Sequence, residues 1–562
     1  MLGRDLGTQD DAIIPAGPAT VKARVVGRAA GRLIAGVAAA ICIATAFVPA
    51  HRATAGLSMP YDMDHFREIA FAQSVVDGKP LRDPYYRGEW LWYNPLLATT
   101  VAVVSKATAL PVPAAFVAAG PHLSAAAQIA FFVAAARLLG VWPALAALTL
   151  LLFWPHLLPG WATPAITPWI YSSAFSATFL YLGLACCAIA LERRRPFWWV
   201  MVGASLGLAF LGHTSAALIL GLCAVASMML TPRADITARE RAVALALVVG
   251  TAVVVSAPFL SSIVGHYGLH VLNRDPLDWV WDDLKVDRAR GFIAAGLRSP
   301  LALLSIVGAA ALVRRSRHDR GALVILCWAA TTGALLVYGW IRQAISVVSL
   351  PQLVPQHHFY FSFKAAVFAL AGAGTWTIIT AIVGTTVRRT PWPPLQRGET
   401  VIAAIVLLVG VYTFIDASYE AYENRPDVQE YAREARGISR KFDQSRVLTR
   451  LRDETPPDAV VLASDEDSYY QVAPAGRAVV SIPSIQSNPY VAQGGRDNDQ
   501  EQMLDALLAH NLAAFDTIAD KYGVTHVLLD AKAAAQVELT GTPQELTELS
   551  REGGYTLYAR RR

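Results

Sequence analysis

Asp62 and Asp64 stand two residues apart in Met59-Pro-Tyr-Asp-Met-Asp-His-Phe-Arg-Glu, with His65 and Arg67 beside them. A carboxylate next to low-dielectric lipid has a raised pKa unless a cation holds it charged. Such a group suits a general base acting on a sugar hydroxyl. Two acids at this spacing are also able to ligate a hard divalent ion, Mg or Mn. The plain alternative is that they cap the start of an amphipathic surface helix, Phe66–Val76. Some thirty residues on, Leu91-Trp-Tyr-Asn-Pro-Leu leads into an apolar run. There Trp92 and Tyr93 read either as an interfacial belt or as rings that stack on a sugar or lipid chain.

Further polar groups fall in later loops. His213 sits in Leu211-Gly-His-Thr-Ser-Ala, at the corner of an apolar hairpin. Gln352-Leu-Val-Pro-Gln-His-His-Phe-Tyr-Phe-Ser-Phe-Lys364 puts His357, His358 and Lys364 at the mouth of a span, with Arg342 in the loop before it. These groups suit a leaving phosphate, where negative charge develops in glycosyl transfer. The adjacent His357 and His358 are too compact for zinc without other ligands. The 265–298 loop mixes acids and tryptophans, among them Asp275, Trp279, Trp281, Asp282 and Asp283, which fit carbohydrate contact or a surface-lying helix equally well.

The elements that must hold these residues are membrane helices. The 562 residues are 54% hydrophobic and only 16% charged, with mean hydropathy +0.39. The apolar excess lies in residues 30–416, while 417–562 has ordinary soluble composition. The net charge of +5 is small, and the basic residues cluster between apolar runs, which argues for topology and against nucleic acid. All five cysteines lie in apolar runs and give neither a disulfide framework nor a metal spacing. Residues 1–29 read as a disordered cytoplasmic tail, and 33–50 as a retained first helix despite the cleavage-like Ala53-Thr-Ala.

Arg193-Arg-Arg195, then Arg233, Arg239 and Arg241, then Arg314 to Arg320, then Arg388 and Arg389 mark the cytoplasmic side. Correct parity requires Val141–Trp169 to form two short helices broken near Pro155 and Pro159. The whole chain then has about thirteen spans, with eleven as the alternative. The N-terminus is inside, and Asp62, Asp64, His65, His213, Arg342, His357, His358 and Lys364 lie at or near the outer face. Charged and imidazole groups there are costly unless they pair or line a wet cavity. The outer loop 51–91 and an extracytoplasmic α/β domain, 417–562, complete the layout. Strands are expected at Ala459–Ala463, Ala478–Ile482, Thr525–Leu529 and Tyr555–Ala559, with helices over 425–452 and Gln500–Tyr522, the latter closed by Gly523.

Asp62-x-x-x-Phe66 with Ala70, then Gly78-x-Pro80, then Trp92-Tyr-Asn-Pro-Leu96, resembles the first outer loop of the GT-C superfamily. These are polytopic glycosyltransferases that use polyprenyl-phosphate sugars, including the protein mannosyltransferase, aminoarabinose transferase and arabinofuranosyltransferase groups. The resemblance is close over 61–97 and covers the remainder in layout. In many relatives the key acid is followed directly by a second, whereas here Met63 intervenes and Asp64 carries the second carboxylate. The resemblance implies an enzyme of a bacterial-type inner (plasma) membrane that transfers sugar with inversion. Asp62 would be the general base, and a polyprenyl-phosphate-linked sugar the donor. The acceptor would be a glycan, lipid or protein, with no certain cofactor. His65, His213, Arg342, His357, His358, Lys364, Trp92 and Tyr93 would contact donor phosphate or substrate. The competing readings are a transporter or flippase for a lipid-linked or polar solute, and a non-catalytic membrane protein with an exported interaction domain. A transporter would place ionisable groups at mid-span within an inverted repeat.

Overall fold

The computed structural model describes residues 18–155, 165–345, 352, 354–389, 398–539 and 544–561, with side chains from residue 29 on. Helix α1 (Pro18–Thr54) is followed by α2 (Met63–Val76), α3 (Leu96–Thr108), α4 (Val112–Leu139) and α5 (Val141–Phe153). Then come α6 (Ser172–Arg193), α7 (Pro196–Gly212), α8 (Thr214–Leu230), α9 (Ala238–Leu260) and the single turn α10 (Asp275–Asp278). The membrane part ends with α11 (Ala289–Arg298), α12 (Pro300–Arg315), α13 (Arg320–Ala344), α14 (His357–Arg388) and α15 (Glu399–Glu423). Among the described residues, seven helices are long and apolar enough to cross a membrane, or eight if the bent pair α11–α12 is one span. Four shorter apolar helices, α3, α5, α7 and α8, accompany them. The chain is a multi-pass membrane protein.

Local sequence explains the breaks. Arg298-Ser-Pro300 ends α11 and starts α12: Ser299 is extended and caps Leu301 N–H, Pro300 takes the first helical position, and the axis turns by 75°. His213 is extended between α7 and α8 and caps the latter. Asp62 caps α2 by accepting from Asp64 N–H. Helices α12 and α14 cross where Gly308 faces Gly374, and a Cβ on either would overlap the backbone of the other helix. Residues 18–29 are helical where the sequence suggested little periodicity, and residues 1–17 lie outside the described residues. The break after α5 also falls largely outside them, at 156–164. The described residues 165–171 are not helical, so the second short helix expected before Trp169 is not seen there.

The tail forms one five-stranded sheet in the order β2-β1-β3-β5-β4. Strands β1 (Val460–Leu462), β2 (Ala478–Val479) and β3 (His526–Asp530) are parallel neighbours, with β1 central. Strands β4 (Leu546–Glu552) and β5 (Tyr555–Arg560) add antiparallel, with Val527 opposite Tyr558. The helix expected over 425–452 divides into α16 (Pro426–Ser445) and α17 (Val447–Glu454), because Arg446 is left-handed at φ 51°. The helix over Gln500–Tyr522 likewise divides into Gln493–Leu508 and Leu512–Tyr522, since His510 is left-handed and Asn511 caps the second segment. Gly523 closes it at φ 67°, as expected.

The tail is clamped onto the first loop. Met59 N–H donates to Ser439 Oγ at 3.1 Å, and Tyr469 OH donates to Met63 O at 2.6 Å. Val479 N–H donates to Tyr85 O at 2.8 Å, and Asn488 Nδ2 to Asp83 Oδ2 at 2.8 Å. One apolar core joins Phe66, Phe71, Tyr85 and Trp92 of the loop region to Val428, Leu451, Tyr469 and Ile482 of the tail. The loop and the tail therefore fold as one unit, and α2 is an inner helix instead of a surface one. Cysteines placed at Met59 and Ser439 should form a disulfide on mild oxidation. Fragments cut by protease between them would then migrate together without reductant. Separate fragments under those conditions would contradict the clamp.

Candidate active site

The start of α2 brings Asp62, Asp64, Arg67 and Glu68 within two turns. The capping geometry of Asp62 fixes this turn, and Asp62 Oδ2 accepts from Tyr171 OH at 3.0 Å. Tyr171 OH is 2.9 Å from Tyr61 OH, so two phenols brace the cap. Burial, and then the nearby charge of Asp64, push the Asp62 carboxyl up to about 6 against these hydrogen bonds.

Asp64 has a different environment. Arg67 Nη2 lies 3.1 Å from its Oδ1, and Gln486 Nε2 donates to the same oxygen at 3.2 Å. Arg67 Nη1 donates to Gln486 Oε1 at 2.7 Å and Nη2 to Tyr93 OH at 3.0 Å, with its plane 4.2 Å from the Tyr93 ring centre. Tyr93 OH is in turn 2.8 Å from Ser172 Oγ. Burial acts to raise the Asp64 carboxyl. Arg67, Gln486, His65 and His357 together outweigh it and hold the group below the ordinary carboxylate range. Asp64 lies deep among protein atoms yet keeps 43% of its side chain accessible, so it faces an open recess. Glu68, one turn further, is almost fully buried near the Tyr93 and Ser172 hydroxyls, and burial pushes it up to about 7.

Three histidines gather within electrostatic reach. The rings of His213 and His358 are 4.2 Å apart, and those of His357 and His358 4.0 Å. The charge of Asp64 acts on both His213 and His357. His213 Nδ1 accepts from Ser215 N–H at 3.2 Å, which leaves Nε2 to carry the ring proton as a donor. His358 Nδ1 has no hydrogen-bond partner among the described residues. This cluster joins the α7–α8 corner to the start of α14, as the positions of these histidines in the sequence suggested.

Other expected site residues go elsewhere. His65 is fully buried among Tyr61, Phe116, Trp169 and Tyr171, and burial pushes it down to about 3. It is a neutral packing residue, not a phosphate ligand. Trp92 is buried against Phe71 and Tyr93, so it is neither an interfacial nor a stacking ring. Arg342 pairs with Asp278 at 2.6 Å, and the Lys364 ammonium lies 5.6 Å from the Tyr360 ring centre. Neither has a described contact with the acids. Among the described residues no three His, Cys, Asp or Glu side chains are placed to hold one metal ion, and the Arg67 guanidinium stands against Asp64.

Sequence reasoning missed Gln486, which lies 422 residues from Asp64, and also missed Tyr171, Ser172 and Glu68. Glu68 carries a local signal, the i,i+4 spacing from Asp64 on one helix face. Tyr171-Ser172 ends a proline-rich run just before α6. Gln486 has only the polar, proline-flanked character of Pro483-Ser-Ile-Gln-Ser-Asn-Pro.

No family model and no curated protein matches the chain. Solved structures share its fold. The ArnT structure from Cupriavidus metallidurans in the apo state is 16% identical, covers 92% of this chain and 97% of its own, and superposes with TM-score 0.54. The same protein bound to undecaprenyl phosphate is 15% identical over the same shares, with TM-score 0.55. The Archaeoglobus fulgidus oligosaccharyltransferase tethered to an acceptor peptide is 12% identical, covers 89% of this chain and 69% of its own, and gives 0.52. This chain has the fold of ArnT and of the oligosaccharyltransferase.

Proposed function

We propose that the chain is a membrane glycosyltransferase that moves a sugar from a polyprenyl-phosphate donor to an extracytoplasmic glycan, lipid or protein acceptor. The observation that carries this reading is Asp64, an ionised and accessible carboxylate in a recess, beside three clustered histidines, on a GT-C fold. The ArnT structure with undecaprenyl phosphate supports the donor class, and the oligosaccharyltransferase with its acceptor peptide supports a second substrate.

A base must be deprotonated and within reach of the proton it takes. Asp64 is held ionised and is accessible, so in this reading it is the carboxylate that faces the substrates. Asp62, placed first on sequence grounds, is in this reading the positioning residue that holds the turn. Asp64 takes the proton of an acceptor hydroxyl, and that oxygen attacks the anomeric carbon from the side opposite the phosphate. The bond from carbon to phosphate oxygen breaks with its electron pair, and the lipid phosphate leaves. The sugar is inverted in this single displacement. His213, through Nε2–H, and the adjacent His357 and His358 are placed to stabilise the leaving oxygen. Holding both substrates at the membrane surface supplies much of the acceleration. The site opens to the extracytoplasmic face of a plasma membrane, with the N-terminus inside.

Asp64→Asn should lower transfer from polyprenyl-phosphate sugars by roughly 10²–10⁴-fold with normal membrane levels. Full turnover in that variant would remove Asp64 as the base. A smaller loss is expected for Asp62→Asn. The two acids titrate as a pair, and protonating Asp62 weakens the charge-assisted hydrogen bond from Asp64 N–H that holds Asp64 in place. Wild-type transfer should therefore decline as pH falls through about 6, the value to which Asp62 is raised. Asp62→Asn, neutral at every pH, should lack that limb. An unchanged acid limb in this variant would contradict the coupling.

A further inference from the structure

Helix α6 begins at Ser172, beside Tyr93 and the acids, and its 22 residues carry the chain about 33 Å to the other end of the bundle. The basic loops meet there. Arg320 pairs with Asp235, and Arg194 lies 3.9 Å from the same carboxylate, so the segments after α6, α8 and α12 share one end. Between the end of α6 and the starts of α7 and α9 lies a groove of about 310 Å³, lined by Arg194, Arg239, Trp199, Val243 and Leu247.

Three features of this groove call for a ligand with an anionic head and apolar chains. First, Arg239 occupies the second position of α9, where the helix dipole disfavours a cation, so helix stability does not account for it. No ion pair to Arg239 is described, and Arg194 is 48% exposed. Second, the outward face of α9 is apolar and open: Val243 is 49% exposed and Val249 also 49%. Third, Phe197 is 60% exposed and Arg193 lies over the Trp198 ring at 5.7 Å, an aromatic belt of the kind found at headgroup level. Glu240 also lines the groove, but its carboxylate is engaged by Thr237 N–H at 2.7 Å and Thr237 Oγ1 at 2.8 Å in the capping box of α9. Arg239 is left to meet an anion together with Arg194, whose distant Asp235 partner is shared with Arg320.

We propose that this groove binds an anionic phospholipid, its phosphate between Arg194 and Arg239 and its acyl chains along Val243 and Leu247. The positive-inside tendency explains basic loops at this end but not a groove between helices with an apolar wall. The site lies far from Asp64 and is independent of the transferase reading.

Native mass spectrometry of the detergent-solubilised full chain, titrated with phosphatidylglycerol or phosphatidylcholine, tests the proposal. Wild type should bind one phosphatidylglycerol in preference to phosphatidylcholine. The double variant Arg194→Ala, Arg239→Ala should bind it roughly thirtyfold more weakly, given about 1 kcal/mol per basic residue at a lipid surface. Arg314→Ala, which removes a charge outside the groove, should bind as wild type does. Equal affinity of wild type for the two lipids would overturn the proposal. So would an equal loss in Arg314→Ala, which would reduce the effect to general charge. Should the double variant fail to fold, Arg239→Gln alone carries the test: unchanged selectivity in it counts against the site, and reduced selectivity supports it.

Discussion

Arg67 meets Asp64 at 3.1 Å within the first turn of α2, deep in the protein. A guanidinium with 13% of its side chain exposed is costly unless its charge is paired and hydrogen-bonded. Here Nη1 and Nη2 reach Asp64, Gln486 and Tyr93, and the Tyr93 ring covers the guanidinium face, while Nε has no hydrogen-bond partner among the described residues. Each partner comes from a different part of the chain: the helix itself, the loop entering α3, and the tail some 420 residues away. Meeting this charge therefore draws the first loop, the membrane helices and the tail sheet to a single point. Lysine would not serve, since a point charge cannot span three partners in a plane.

The same pair separates two chemically identical acids. Asp64 is kept ionised by Arg67 and stays open to a recess, while Asp62 is held by a backbone N–H and a phenol and titrates near 6. One carboxylate is free to meet substrate because the other fixes the turn. Glu68 and His65 lie behind them as buried, poorly solvated groups.

Much of this was legible in the sequence wherever the signal was local. The apolar runs, the arginine clusters, the α2 cap, the His213 corner and the His357-His358 helix start all follow from residue type and spacing. Four of five strands fell near their expected places, and β4 was missed because only Leu546 of its seven residues is buried, which erases any alternation. Two tail helices were read as continuous because left-handed Arg446 and His510 are not glycines. The contents of the site were harder to see. His65 beside the acids was expected at the phosphate, yet the helical turn rotates it into an aromatic core. Gln486 was invisible, since a contact across 422 residues is set by how the tail docks. Span number was also ambiguous, because short helices such as α3, only about 20 Å long, are apolar without reaching across a bilayer.

The most direct test is a structure of the full chain in lipid with a polyprenyl phosphate bound. The account predicts the phosphate in contact with the His213–His358 pair, and Asp64 still paired with Arg67 and facing the space beside it. A phosphate seated away from both the histidines and Asp64, or an Asp64 closed off from the recess, would contradict it.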